Sequence, residues 1–193
     1  MPPSRRSSIP LLVAAILAAA APAFACGLED PSSISSRRGA LNLAFPDALH
    51  VGTAVWQAQL AGALPRDALL QRNDLSPEAR GTLRLVKANA TLKQLAATLG
   101  EAPGDAGRPR LALVLLGPVL WSRFVADEGA VRASIHVQGP EPGDVVVVTE
   151  AAVIEAIVAG ELRFADALDG RLVRLYGEPG AVAKAQRWLV ARL

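Results

Sequence analysis

Apolar and polar positions along the chain change period several times, and each change predicts an element. Ile9 to Ala21 is an apolar run broken only by Pro10, with Arg5 and Arg6 ahead of it and Ala23-Phe24-Ala25 behind it. The run is too short for a bilayer core, which takes about 20 residues, but it has the layout of an export signal over residues 1–25. Residues 26–45 are rich in Ser, Gly and Arg without periodicity, which predicts a flexible N-terminal tether. Pro46 then suits the first turn of a helix, and Leu49, Thr53, Trp56, Leu60 and Leu64 recur at helical spacing up to Pro65. Gly52, Ala54, Ala58 and Ala61 would let a neighbour approach closely. Ser76-Pro77-Glu78 is a helix start. Leu85, Ala88, Leu92, Leu95, Ala96 and Leu99 form one stripe, with Gly100 as the stop.

After the turn-rich stretch 100–109 the period shortens. Leu111 to Leu116 is a continuous apolar run, as in a strand buried on both faces. Val119 to Val125 follows Gly117-Pro118 as a second strand. Val131, Ala133, Ile135 and Val137 alternate with Arg132, Ser134, His136 and Gln138 as a third. The turn GPEPG at 139–143 precedes the β-branched run Val145 to Val148, a fourth strand. A helix carrying Val153, Ile154, Ile157 and Val158 ends at Gly160. A short segment from Leu162 to Leu168, a strand from Arg171 to Tyr176 and a helix opened by Pro179 complete the chain. The order predicts one α+β domain over 46–193, helical over 46–100. Four strands run as hairpins, a fifth follows, and helices cover one face of a five-stranded, mainly antiparallel sheet.

Hydrophobic residues make up 51% of the chain and charged ones 20%, which excludes a disordered protein. Residues 1–25 hold two arginines and no acid, so the remaining chain carries 18 basic against 18 acidic residues. Its longest basic run is Arg37-Arg38, and the clustered positive charge of a nucleic-acid footprint is missing. One cysteine excludes an intramolecular disulfide framework and a cysteine-rich zinc site. Cys26 directly follows Ala25, and this junction resembles the lipobox of bacterial lipoproteins, although Ala23 stands where leucine is usual. Simple secretion to the periplasm and acylation of Cys26 as a membrane tether both remain open.

Residues 144–193 resemble the sterol carrier protein type 2 family. The likeness rests on the order DVVVVTE, VIEAIVAGEL, RFADALDG, RLVRLYG and a closing amphipathic helix. The hairpins at 111–138 are compatible with the family's earlier strands, so that 110–193 forms the carrier-like portion; residues 26–100 are not covered. The resemblance implies a five-stranded sheet overlaid by helices with an apolar tunnel between them, in a family whose known members bind fatty acyl chains, sterols or other lipids. Two departures stand out: the chain has an export signal, and Pro179 directly follows Glu178.

Such a site needs apolar walls and little chemistry. The candidate walls are Trp121, Phe124, Ile154, Ile157, Val158, Leu162, Phe164, Leu168, Trp188 and Leu189. Each methylene buried there would contribute about 0.8 kcal/mol. Arg123, Arg171 and Arg174 are candidates for holding a ligand carboxylate, against a solvated strand face. His136 falls on the polar phase of its strand, and His50 lies one turn from Asp47 without a third metal ligand at regular spacing. No nucleophile elbow, dinucleotide fingerprint or P-loop occurs, and no cofactor is implied. Glu150 is placed in the first turn of its helix, beside the positive end of the dipole. The expectation is an exported, non-enzymatic protein for a lipid or other apolar molecule. The alternative is an accessory protein of a cell-envelope complex that docks through its N-terminal helices around Trp56.

Overall fold

The computed structural model describes residues 31–100, 109–127 and 130–193. The expected export signal and Cys26 lie outside the described residues. Among the described residues are six α-helices, one 3₁₀ turn and five strands. In chain order they are α1 (Pro31–Ala44), α2 (Ala48–Leu60), the 3₁₀ turn (Ala68–Gln71), α3 (Pro77–Gly100), β1 (Leu111–Leu115), β2 (Leu120–Asp127), β3 (Ala130–Ile135), β4 (Val145–Thr149), α4 (Ala151–Val158), α5 (Phe164–Asp169), β5 (Arg174–Tyr176) and α6 (Pro179–Val190). The class is α+β with five strands in one sheet.

The strand order is β3-β2-β1-β4-β5. Three neighbouring pairs are antiparallel, while β1 and β4 run parallel, so the sheet is mixed. The expected run of four strands as hairpins therefore stops at β3. Ile135 ends β3 opposite Ser122, near the start of β2, whereas β4 begins with Val145 opposite Leu111, at the start of β1. Residues 136–144 have to travel the length of the sheet between those points. They do so across β2, whose Arg123 holds Asp144 at 3.0 Å and also pairs with Glu141. Asp144 has a fully buried side chain and accepts the Glu141 amide at 2.9 Å, which locks the end of the crossing. Gly143 sits here at φ +85°, and a Cβ at that position would lie 2.6 Å from the Arg110 guanidinium.

β1 and β4 are buried at every residue, which the unbroken sequences LALVL and VVVVT require of strands covered on both faces. Strand pairing places Leu111, Leu113, Phe124 and Val147 on one side, where Leu95 and Leu99 of α3, Ile154, Phe164 and Leu189 meet them. Trp121 and Tyr176 point to the other side, where both rings contact Phe45, just after α1. Helices thus cover both faces, not the one face expected. Most of the segment read as a tether is α1, and Leu41 within it is only 5% exposed. Arg37 and Arg38 fasten this helix to the β1–β2 turn, donating to the carbonyls of Val119, Leu116 and Gly117.

α2 buries its small face. Ala48, Val51 and Val55 are inside, while Leu49, Trp56 and Leu60 of the large-residue stripe point outward. α3 behaves as the pattern predicts, with Ala88, Leu92, Leu95, Ala96 and Leu99 all buried and Ser76 Oγ capping the Ala79 amide. Pro179, a departure from the resembled family, is the opening residue of α6. Glu178 caps that helix by accepting the Gly180 and Ala181 amides at 3.0 and 2.8 Å, which hold its carboxyl below the usual range.

The Asp144 network predicts a large stability effect from one carboxylate. Asp144→Ala leaves the largely buried Arg123 with only an exposed partner and should cost about 3 kcal/mol in urea unfolding, whereas Glu141→Gln should stay within about 0.5 kcal/mol.

Candidate functional site

The ten expected wall residues do not surround one hollow. Phe124, Ile154, Phe164 and Leu189 interlock with Leu95, Leu99, Leu111, Leu113 and Val147, leaving about 10 Å³. That is the volume of roughly one water probe and admits no alkyl chain. Ile157 is buried, while Val158, Leu162, Leu168 and Trp188 are partly buried against the same core. The space between sheet and helices where the resemblance implies a tunnel is therefore filled by side chains. Trp121 stands apart on the opposite face.

On that opposite face an open groove of about 380 Å³ lies between α1 and the crossing segment. Trp121 is at its floor, Ala40, Leu41, Ala44 and Phe45 form one wall, and Val119 and Val137 lie on the other side. Arg37 and His136 supply polar groups at its margin. The volume is within the range of ligand pockets, about 300–1,000 Å³. Two lining residues carry backbone strain. Val119 has φ +49°, an outlier for a β-branched residue, and His136 has φ +67°. The amides of His136 and Val137 both donate to the Trp121 carbonyl, the two-against-one pairing of a β-bulge. Strain of this kind gathers at ligand-binding edges, where surrounding contacts over-determine the backbone.

Two of the three arginine candidates are engaged elsewhere. Arg123 serves Asp144 and Glu141, Arg174 pairs with Asp47 at 3.4 Å, and Arg171 is an exposed turn residue at φ +57°. His50 Nδ1 meets Asp47 Oδ1 at 3.5 Å on the surface, the local pair its spacing suggests. Among the described residues no group of three or more His, Cys, Asp and Glu side chains could hold a metal ion. The groove residues Leu41 and Phe45 were not singled out by the sequence pattern, while Val137 was, as an apolar position of the third strand. Leu41, Phe45 and Ala48 lie three to four residues apart, a helical signal hidden in the Ser- and Arg-rich stretch around them.

A second, polar cleft of about 480 Å³ lies on the other side of α1. Glu150 sits in it, directly after β4. It occupies the N-cap position of α4 without capping it; its Oε2 turns away and accepts the Gly117 amide at 3.1 Å. Arg38 and Arg84 add favourable charge, Arg84 being paired with Asp67 at 2.8 Å and Lys87 with Glu155 at 2.7 Å. Burial is the largest influence and raises the Glu150 carboxyl above the ordinary range, only partly opposed by the Gly117 amide and the two arginines.

No family model matches the chain, and no curated protein sequence matches it. Solved structures do superpose on part of it. Sterol Carrier Protein 2 Like 2 from Aedes aegypti is 18% identical, over 53% of this chain and 95% of that one, at a TM-score of 0.39. A crystal structure of sterol carrier protein 2 is 26% identical, over 55% and 94% of the two chains, at 0.37. The sec-alkylsulfatase Pisa1 from Pseudomonas sp. is 18% identical over 42% of this chain, at 0.34, and the match spans 13% of that enzyme.

The Glu150 geometry sets a pH test. A folded-state carboxyl raised above its unfolded value favours folding at low pH, and that contribution is lost as pH rises through the folded value. Glu150→Gln should therefore raise the melting temperature at pH 7, with the gain vanishing near about pH 3, well below the unfolded value of about 4.3, where the carboxyl is protonated in the folded and the unfolded state alike.

Proposed function

We propose that the protein is an exported, non-enzymatic binder of a lipid or other apolar small molecule. The open groove beside Trp121 is its site, in place of the tunnel the family resemblance implies. The carrying observation is the pairing of a mainly apolar groove of about 380 Å³ with two strained backbone positions on its wall. The sterol-carrier neighbours are compatible with this reading. An alkyl segment of about eight methylenes would gross about 6 kcal/mol there, against association costs of at least about 4 kcal/mol. The alkyl segment alone thus leaves about 2 kcal/mol, a dissociation constant in the millimolar range or weaker, which suits pick-up and release more than storage.

A second reading, an accessory role in a cell-envelope complex, is favoured by one observation. Leu49, Trp56 and Leu60 stand 38%, 58% and 53% exposed along one side of α2, a face suited to docking on a protein partner. Loss of a co-purifying envelope protein on Leu49→Asp with Leu60→Asp, with groove binding retained, would favour this reading over the first.

Ala40 is exposed and lines the groove, so Ala40→Leu fills it without disturbing the core. Titration with dansyl-undecanoic acid should show binding that Ala40→Leu weakens by about fivefold or more at unchanged melting temperature. Absence of binding, or binding that Ala40→Leu leaves intact, overturns the assignment. For export, intact-mass analysis of the mature protein should find a chain beginning at Cys26, with or without an acyl adduct; retention of residues 1–25 would refute it.

A further inference from the structure

The cleft around Glu150 is independent of the apolar groove. It lies outside the carboxyl ends of β1 and β4, the parallel pair of the sheet. From the end of β1 the chain turns to β2 on one side; from the end of β4 it passes through α4 and α5 to β5 on the other. Two parallel neighbours whose chains depart in opposite directions leave a crevice between the departing segments, the position at which open sheets with parallel strands bind ligands. Two glycines keep this crevice open. A Cβ at Gly117 would lie 3.1 Å from Glu150 Oε2, and one at Gly52 would lie 3.9 Å from Glu150 Oε1.

We propose that this crevice binds a neutral, hydroxyl-rich ligand of the saccharide class, with Glu150 as the acceptor at its floor and Trp56 as an apolar platform at its rim. Trp56 is 58% exposed and lines the same cleft as Glu150, and an exposed indole is a side chain on which the C–H face of a sugar can pack. The charges select against ionic ligands. Asp67, Glu150 and Glu155 oppose an anion; Arg38, Arg84 and Lys87 oppose a cation, with Arg66 exposed at the edge. Arg84 and Lys87 are already paired with carboxylates, and Arg38 with the carbonyls of Leu116 and Gly117. Donors and acceptors side by side, with Arg38, Arg84 and Lys87 already engaged, suit hydroxyl groups, which both give and accept hydrogen bonds. Incomplete compensation of the buried Glu150 agrees with a site lacking one donor.

The test uses the full protein, titrated by calorimetry and tryptophan fluorescence with maltose, N-acetylglucosamine and methyl α-glucoside up to about 50 mM, the range in which weak sugar binding is measurable. At least one sugar should bind saturably. Gly52→Leu, which fills the cleft from a helix position that accepts leucine, and Trp56→Ala, at an exposed position, should each weaken binding about tenfold, with Glu150→Gln weakening it less. Far-UV spectra and melting temperatures verify that the variants fold, and dansyl-undecanoic acid binding should be unaffected, which separates this site from the groove. No saturable binding by any of the three sugars overturns the proposal. So does binding that survives both Gly52→Leu and Trp56→Ala, or a response confined to spermidine or inorganic phosphate as charged controls.

Discussion

The structure depends on burying both faces of the parallel pair β1 and β4. Every residue of these two strands is inside, and neither carries a polar side to turn toward water except Thr149, whose hydroxyl donates to the Leu172 carbonyl at 3.0 Å. Strands of this kind need a layer on each side. On one side α3, α4, α5 and α6 supply it, and there the packing closes almost completely. On the other the cover is assembled from α1, α2 and the crossing segment 136–144, pieces far apart in the chain.

That composite layer is where the cavities lie. Its parts are joined by polar contacts as much as by apolar ones: Arg37 and Arg38 on the β1–β2 turn, the Tyr176 hydroxyl on the Pro46 carbonyl, and Arg123 on Asp144. Between α1 and the crossing segment the apolar groove remains, and on the far side of α1 the polar cleft around Glu150. Neighbouring arginines of one helix thus border two different sites. A shift of α1 would alter both, so its attachment to three turn carbonyls bears on function as much as on stability.

Much of the fold is legible along the chain. The α3 stripe, the alternation of β3, the valine run of β4 and the Pro179 start of α6 all lie close to where their patterns place them, because each is a local signal read by a single neighbouring surface. Misreadings cluster where a partner distant in sequence decides. α1 looks like open chain because its serines and arginines hide a narrow apolar edge, and its arginines find their carbonyls 78 to 82 residues away. α2 looks as though its leucines and Trp56 face inward, yet the close approach to β4 is made by Ala48, Val51 and Val55. Glu150 reads as a residue of its own helix, but its carboxylate is taken by Gly117, 33 positions earlier.

The amino-acid order by itself therefore determined the class, the sequence of elements and the apolar character of the core, since periodicity and turn residues act over a few positions. The parallel placement of β4, the second cover over the sheet and the position of the two cavities came only from the tertiary structure. The strand order depends on which edge of β1 is free when Val145 to Val148 arrives, and an apolar side chain does not encode whether its neighbours will meet it or leave a gap. Phe124 and Trp121 show the difference: three positions apart on one strand, they face opposite layers, one packed solid and the other open to a groove.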